Sequence, residues 1–344
     1  MNTYTPHTFR PTFRLIYCMA VAMACAVTFS GCKKNSPNIG ADNEFRVEHP
    51  ERLTKIFLAG RNGSTVTLTQ ATGGKWRVNN EFDARPDMVA ILLETLQNLS
   101  IRFAAEGAMQ KNSLRALATQ SVKVELYEGS LLKTFYIGGE VERDEMGTLI
   151  MAEGAKMPYV AHISGFDGTL VPRFSTDLYD WRDRTLFAFP KGTIEELSVE
   201  YPAQRDNSFH IIRKNGDYTI EPLYQSTTPI TKEPIKGIVA GYLVGYERII
   251  AENFEIGNTH KDSIIHATPF CTFTVKATGL KEPHVVQLYP VPGRPVEEPV
   301  RGMVERASVE RYFVYLNHRD FMVGQHALLN RVLWGYPYFF EKPK

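Results

Sequence analysis

Short alternating runs of apolar and polar residues, each closed by a glycine- or asparagine-containing turn, constrain this chain most. Residues 54–58 and 65–69 alternate in this way, and Gly73-Gly74 then turns the chain into Lys75-Trp76-Arg77-Val78. A period of two between turn residues is the pattern of a half-buried antiparallel strand, and the pair reads as a hairpin. Pro86 follows, suited to the first turn of a helix, and Met88, Ile91, Leu92, Leu96 and Leu99 then recur at helical spacing. Strands return at 122–127 and 134–139, with a turn at Glu128-Gly129. A further hairpin runs from 148–151 to 158–163, and a short helix after Gly165 would carry Phe166, Leu170 and Phe174.

The same order then begins again. Residues 194–199 match the first strand, and residues 208–212 turn at Asn215-Gly216 into Asp217-Tyr218-Thr219-Ile220. Tyr218 falls on Trp76, and Pro234 stands where Pro86 stood. Ile235, Ile238, Val239, Tyr242 and Leu243 repeat the amphipathic stripe, Phe273 and Val275 match Val124 and Leu126, and 321–323 match 159–161. The expected fold is α+β: two divergent copies of a mainly antiparallel β-hairpin/helix unit, spanning 51–185 and 186–344. The second copy has longer loops, at 257–269 and 290–308. The aromatic C-terminus, Trp334 to Phe340, reads as a last core strand, with an exposed partner-binding tail as the alternative.

The N-terminus carries an address rather than a fold. Arg10 and Arg14 precede an apolar run at 15–28, and Ser30-Gly31-Cys32 follows. A basic n-region, a short h-region and small residues before a cleavage point make a secretory leader. The run is shorter than the roughly 20 residues of a spanning helix. Ser30-Gly31-Cys32 resembles the lipobox of bacterial lipoproteins, although Phe29 stands where leucine is usual. That resemblance implies a leader at 1–31, diacylation of the Cys32 thiol, a tether at 32–50 and a protein held at a membrane, and Lys33-Lys34-Asn35-Ser36, with no acidic cluster after the Cys, implies the periplasmic face. Lys34, in place of an Asp, implies the outer membrane by enteric-type sorting.

Composition agrees. Cys18 and Cys25 leave with the leader, so the mature chain keeps only Cys32 and Cys271, and no disulfide forms within it. Cys271 lies in an alternating run and reads as a small buried hydrophobe. The leader holds two of the 39 Lys and Arg and none of the 38 Asp and Glu, so the mature chain is nearly neutral. That balance argues against a nucleic-acid partner, which requires a basic face.

Beyond the leader, the pattern resembles a group of bacterial envelope proteins. The features that carry it are Trp76 after Gly73-Gly74, the segment Tyr136-Ile137-Gly138-Gly139-Glu140, Tyr159-Val160 leading to Gly165-Phe166, and the run from Asp180 through Trp181, Arg182, Asp183 and Arg184 to Phe187. Together they resemble the domain of unknown function 4340 family, many members of which are lipoproteins. The resemblance implies an accessory envelope role beside membrane transporter components and brings no catalytic residues.

Motifs for chemistry are sparse. His260, His266, His284, His318 and His326 show no metal-ligand spacing, and Gly138-Gly139-Glu140 lacks the Lys-Ser/Thr of a phosphate loop. Neither a metal nor a cofactor is expected. The richest polar group is Asp177, Asp180, Arg182, Asp183 and Arg184, with Trp181 among them. Paired carboxylates suit glycan hydrolysis, whereas interleaved arginines suit salt bridges and capping. The expectation is therefore a binding or accessory module and not an enzyme. The alternative is a periplasmic hydrolase or carbohydrate-binding protein using Asp177, Asp180 or Asp183. Asp262-Ser263-Ile264 matches a short acceptor pattern for O-linked glycans, in an expected loop, with Ser263 as the acceptor.

Overall fold

The computed structural model describes residues 45–140, 147–292 and 309–340. The leader, Cys32, most of the tether, the charged loop at 142–145 and most of the long loop at 290–308 lie outside them. The fold is α+β, and the chain divides into two compact units. The first holds residues up to 81 and 86–180; the second holds 82–85 and everything from 181 onward. Among the described residues, no helix is long and apolar enough to cross a membrane.

The first unit is built on β1 (Lys55–Gly60), β2 (Thr65–Gln70) and β3 (Trp76–Val78). The two-residue strand β4 (Phe82–Asp83) belongs with the second unit. Helix α1 (Pro86–Asn98), strand β5 (Leu99–Ala104) and helix α2 (Ala108–Gln120) follow, then β6 (Val122–Glu128), β7 (Ser130–Glu140), β8 (Thr148–Ala152) and β9 (Tyr159–Ile163). The strands order as β3-β2-β1-β6-β7-β8-β9-β5. Pairing is antiparallel, with Ile56 opposite Leu126 and Leu58 opposite Val124. Alternation sends Ile56, Leu58, Val66, Leu68, Val124, Leu126, Phe135 and Ile137 into the core, all fully buried. Phe45 closes it, its ring meeting Phe135 edge-on at 5.9 Å.

The second unit contains β10 (Thr185–Phe187), β11 (Ile194–Glu200), β12 (Phe209–Lys214) and β13 (Asp217–Pro222). Helix α3 (Ile238–Leu243), β14 (Ile249–Ile250), β15 (Asn253–Phe254) and helix α4 (Lys261–His266) follow. The chain ends with β16 (Cys271–Ala277), β17 (His284–Pro290), β18 (Arg311–Leu316), β19 (Asp320–Gln325) and helix α5 (His326–Leu329). Strand order is β13-β12-β11-β16-β17-β18-β19-β15, the same order as in the first unit when each strand number is lowered by ten. Leu197 lies opposite Val275 and Val199 opposite Phe273, in the places that Ile56, Leu126, Leu58 and Val124 hold in the first unit.

Three local readings differ from the structure. The helix expected from Pro234 starts at Ile238, because Gly237 before it adopts φ 78°, a left-handed turn that ends any helix entering from its N-terminal side. Ile235 instead donates its backbone N–H to Phe339 O at 2.9 Å. The short helix after Gly165 is a 3-10 turn at Val171–Phe174. The C-terminal aromatics form a 3-10 turn at Tyr336–Phe339 rather than a strand, since Pro337 has no N–H to give a ladder. They are nonetheless core: Tyr336, Phe339 and Phe340 are all buried.

Candidate functional site

The polar segment at 177–184 crosses from one unit to the other. In the first unit, Asp177 and Asp180 are spent on local turns. Asp177 Oδ1 accepts the Tyr179 N–H at 2.9 Å, and Ser175 Oγ donates to Asp180 Oδ2 at 2.5 Å. The Asp177 N–H in turn donates to Ser175 Oγ at 3.1 Å. Such side-chain-to-backbone bonds are the ordinary use of Asp and Ser before a helical turn, here Leu178–Trp181.

In the second unit the rest of the segment is tightly held. Trp181 is fully buried, and its carbonyl accepts the Arg85 N–H at 2.7 Å. Arg182 is buried too. Its guanidinium carbon lies 3.7 Å from the Phe82 ring centroid and 4.5 Å from that of Phe254, and Nη2 donates to Asp320 Oδ1 at 2.7 Å. A planar cation between two aromatic faces, finished by a carboxylate, matches what guanidinium offers and ammonium does not. Asp183 Oδ1 accepts from Thr185 N at 3.0 Å and from Thr185 Oγ1 at 2.7 Å. Arg184 donates to Glu252 O and, at 2.8 Å, to Asn253 Oδ1. Each residue of the sequence cluster therefore has a structural occupation. Phe82, Phe254 and Asp320, which complete the Arg182 setting, carry no motif and are brought there by topology alone.

The other candidates are scattered. Among the described residues, no group of three or more His, Cys, Asp or Glu side chains is placed to hold a metal ion. His266 Nδ1 lies 2.6 Å from Asp262 O within its own helix, and His326 Nδ1 lies 3.3 Å from Tyr312 OH. Cys271 is fully buried, and burial pushes its thiol well above the ordinary range, so it is not a thiolate. Ser263 is exposed but lies in helix α4 rather than in the loop expected from sequence. Cys32 lies outside the described residues.

One concavity went unnoticed in the sequence. The second unit carries an open cleft of about 630 Å³, walled by the stretch from Ile220 to Pro234 and floored by Tyr336 and Phe340. Its one sequence signal is the clustering of Pro222, Pro229 and Pro234, which interrupts the regular alternation. Beside it, Tyr224 donates to Glu200 Oε1 at 2.5 Å and Arg205 stacks on the Tyr224 ring at 5.0 Å.

Residues 43–236 match the family described as domain of unknown function (DUF4340), a span that covers more than half of the chain. No curated protein and no solved structure matches the chain.

Proposed function

The chain belongs to the DUF4340 family, and from that premise we propose that it is an outer-membrane-anchored periplasmic lipoprotein, held by acyl chains on Cys32. It acts there as a non-catalytic binding or accessory module for an envelope or transporter complex. The observation that carries the non-catalytic reading is the occupation of the acidic cluster. Asp177, Asp180 and Asp183 each accept hydrogen bonds from neighbouring main chain or hydroxyls. A general acid and base must instead face a substrate. Two antiparallel sheets of the same strand order, read as divergent copies of one unit, supply broad surfaces and edges suited to partner binding. A lipid tether raises the effective concentration of such a module near a membrane partner.

Two experiments test this reading. Cys32→Ala should abolish fatty-acid labelling and release the protein from the membrane fraction; retention equal to the parent overturns the anchor. Mild crosslinking in intact cells should recover a reproducible integral-membrane or transporter partner, with Asp180→Asn and Asp183→Asn leaving the phenotype unchanged. Loss of function by either variant in a folded protein, with no partner recovered, would replace the module with the hydrolase.

A further inference from the structure

The β6–β7 hairpin of the first unit ends in a feature its core does not use. Leu131 and Leu132 follow the turn at Gly129 and are 54% and 45% exposed, the one adjacent pair of large exposed apolar side chains among the described residues. They sit at the hairpin tip, where Glu128, Gly129 and Ser130 are exposed as well. The tip is clamped to the segment by which the chain enters the unit. Thr54 donates its N–H to Tyr127 O at 2.8 Å, and the Gly129 N–H donates to Thr54 Oγ1 at 3.1 Å.

The entry point itself is close. Phe45, the first described residue, packs on Phe135 at 5.9 Å between centroids. Phe135 is four residues along β7 from Leu131, a rise of about 13 Å. From Phe45 back to Cys32 the chain can span at most about 45 Å. A lipid on Cys32 therefore allows this end of the unit to reach the bilayer. Charge at the tip is mixed: Arg52, Lys55 and Lys133 stand against Glu51 and Glu128, with the Lys55 ammonium over the Tyr127 ring at 3.6 Å. Nothing there selects an anionic surface, so the attraction is apolar.

We propose that Leu131 and Leu132 insert into the headgroup–acyl boundary of the bilayer that carries the Cys32 lipid, giving the first unit a second membrane contact and one fixed face toward it. The inference rests on the lipid-anchor reading of Cys32. A single flexible attachment leaves a domain free to rotate, whereas a second apolar contact selects an orientation. A fluid bilayer suits an exposed pair of leucines at a hairpin tip, because it closes around them without a preformed pocket.

The test uses the full-length acylated protein reconstituted into phosphatidylethanolamine–phosphatidylglycerol vesicles. An environment-sensitive fluorophore is placed on Leu131→Cys and, separately, on Gln120→Cys. Gln120 is exposed and lies next to the end of β6 where Val122 pairs with Gly60, away from the hairpin tip. Buried Cys271 stays unlabelled in the folded protein. A lipid-borne nitroxide should quench the probe at 131 roughly threefold more than at 120, as expected for a side chain at the acyl boundary. In a Leu131→Asp, Leu132→Asp protein, a probe on Lys133→Cys should fall to the level at 120 while the protein stays vesicle-bound. Equal quenching at 131 and 120 in bound protein overturns the proposal and leaves the anchor intact. Absence of fatty-acid label on the Cys32-containing protein overturns the anchor instead, and quenching at 131 then reads the hairpin contact by itself.

Discussion

Arg182 donates to Asp320 from 138 residues earlier in the chain, Nη2 to Oδ1 at 2.7 Å, with both side chains nearly buried. The pair ties the start of the second unit's main segment to the first residue of β19, and the Phe82 and Phe254 rings both lie against the guanidinium. Arg182→Ala would leave the Asp320 carboxylate with the exposed Arg319 as its one cationic neighbour among the described residues. Removing one partner of a buried pair costs up to about 3–5 kcal/mol, and less here because Arg319 still faces the Asp320 carboxylate at 3.1 Å. Arg182→Lys should recover little of that loss, since an ammonium cannot stack on both rings. Urea denaturation of the two variants checks the ordering; full rescue by lysine would show that charge alone matters.

His284 provides a pH dependence of stability. Its Nε2–H donates to Leu186 O at 2.6 Å, and Nδ1 accepts from Asn317 Nδ2 at 3.3 Å. The Asn317 amide is oriented by its own oxygen, which accepts the Val285 N–H at 2.8 Å. Both ring nitrogens are thus occupied in the neutral form, and burial lowers the His284 pKa below the ordinary 6.5, a shift only partly offset by the bond to Leu186. Below that pH the unfolded chain takes up a proton that the folded one resists, so this residue's contribution is full above about pH 6.5 and declines as pH falls through the lowered value. A plot of melting temperature against pH should lose part of its acid slope in His284→Phe. An unchanged slope would mean that other groups set it.

The buried hydroxyls of Tyr242 and Tyr246 differ in rank. Tyr242 OH donates to Val332 O at 2.8 Å and lies 2.6 Å from Tyr246 OH, whose proton it therefore accepts. Both phenols are fully buried, and burial pushes their pKa values well above the ordinary range. Tyr242→Phe strands two buried groups, the Val332 carbonyl and the Tyr246 hydroxyl, at about 1–3 kcal/mol each. Tyr246→Phe strands none, because Tyr242 keeps its bond to Val332. Tyr242→Phe should be the costlier of the two in calorimetry, and equal costs would contradict the assigned direction of the shared hydrogen bond.

The hairpins and the Pro86 helix were legible because their signals are local. Alternation in 54–69 gives β1 and β2, and Pro86 opens α1. Strand β5 and helix α2 passed unread for physical reasons. Leu99 continues directly from α1 with no breaker between them, and α2 buries only Ser113 and Leu117, too little for a visible apolar stripe. The acidic cluster was visible as composition, but its occupation was not. The partners of Arg182 come from residues 82, 254 and 320, and only the strand order brings them together.

Gly138 explains one of the segments by which the family was recognised. It lies in β7 with φ 153°, where the strand passes the C-terminal end of α2. A Cβ there would lie 2.7 Å from both Gln120 O and Ser121 Cα, which are backbone atoms that cannot rotate aside. Gly129, at the hairpin turn, also has a positive φ of 74°, but a Cβ there meets open space. Alanine at Gly129 carries the left-handed conformational cost alone, about 1–2 kcal/mol. At Gly138 the same substitution must also push strand from helix, which adds about 1–3 kcal/mol of overpacking. Gly138→Ala should therefore unfold at clearly lower urea than Gly129→Ala. If the two midpoints coincide, β7 and α2 are not packed as closely as the structure places them.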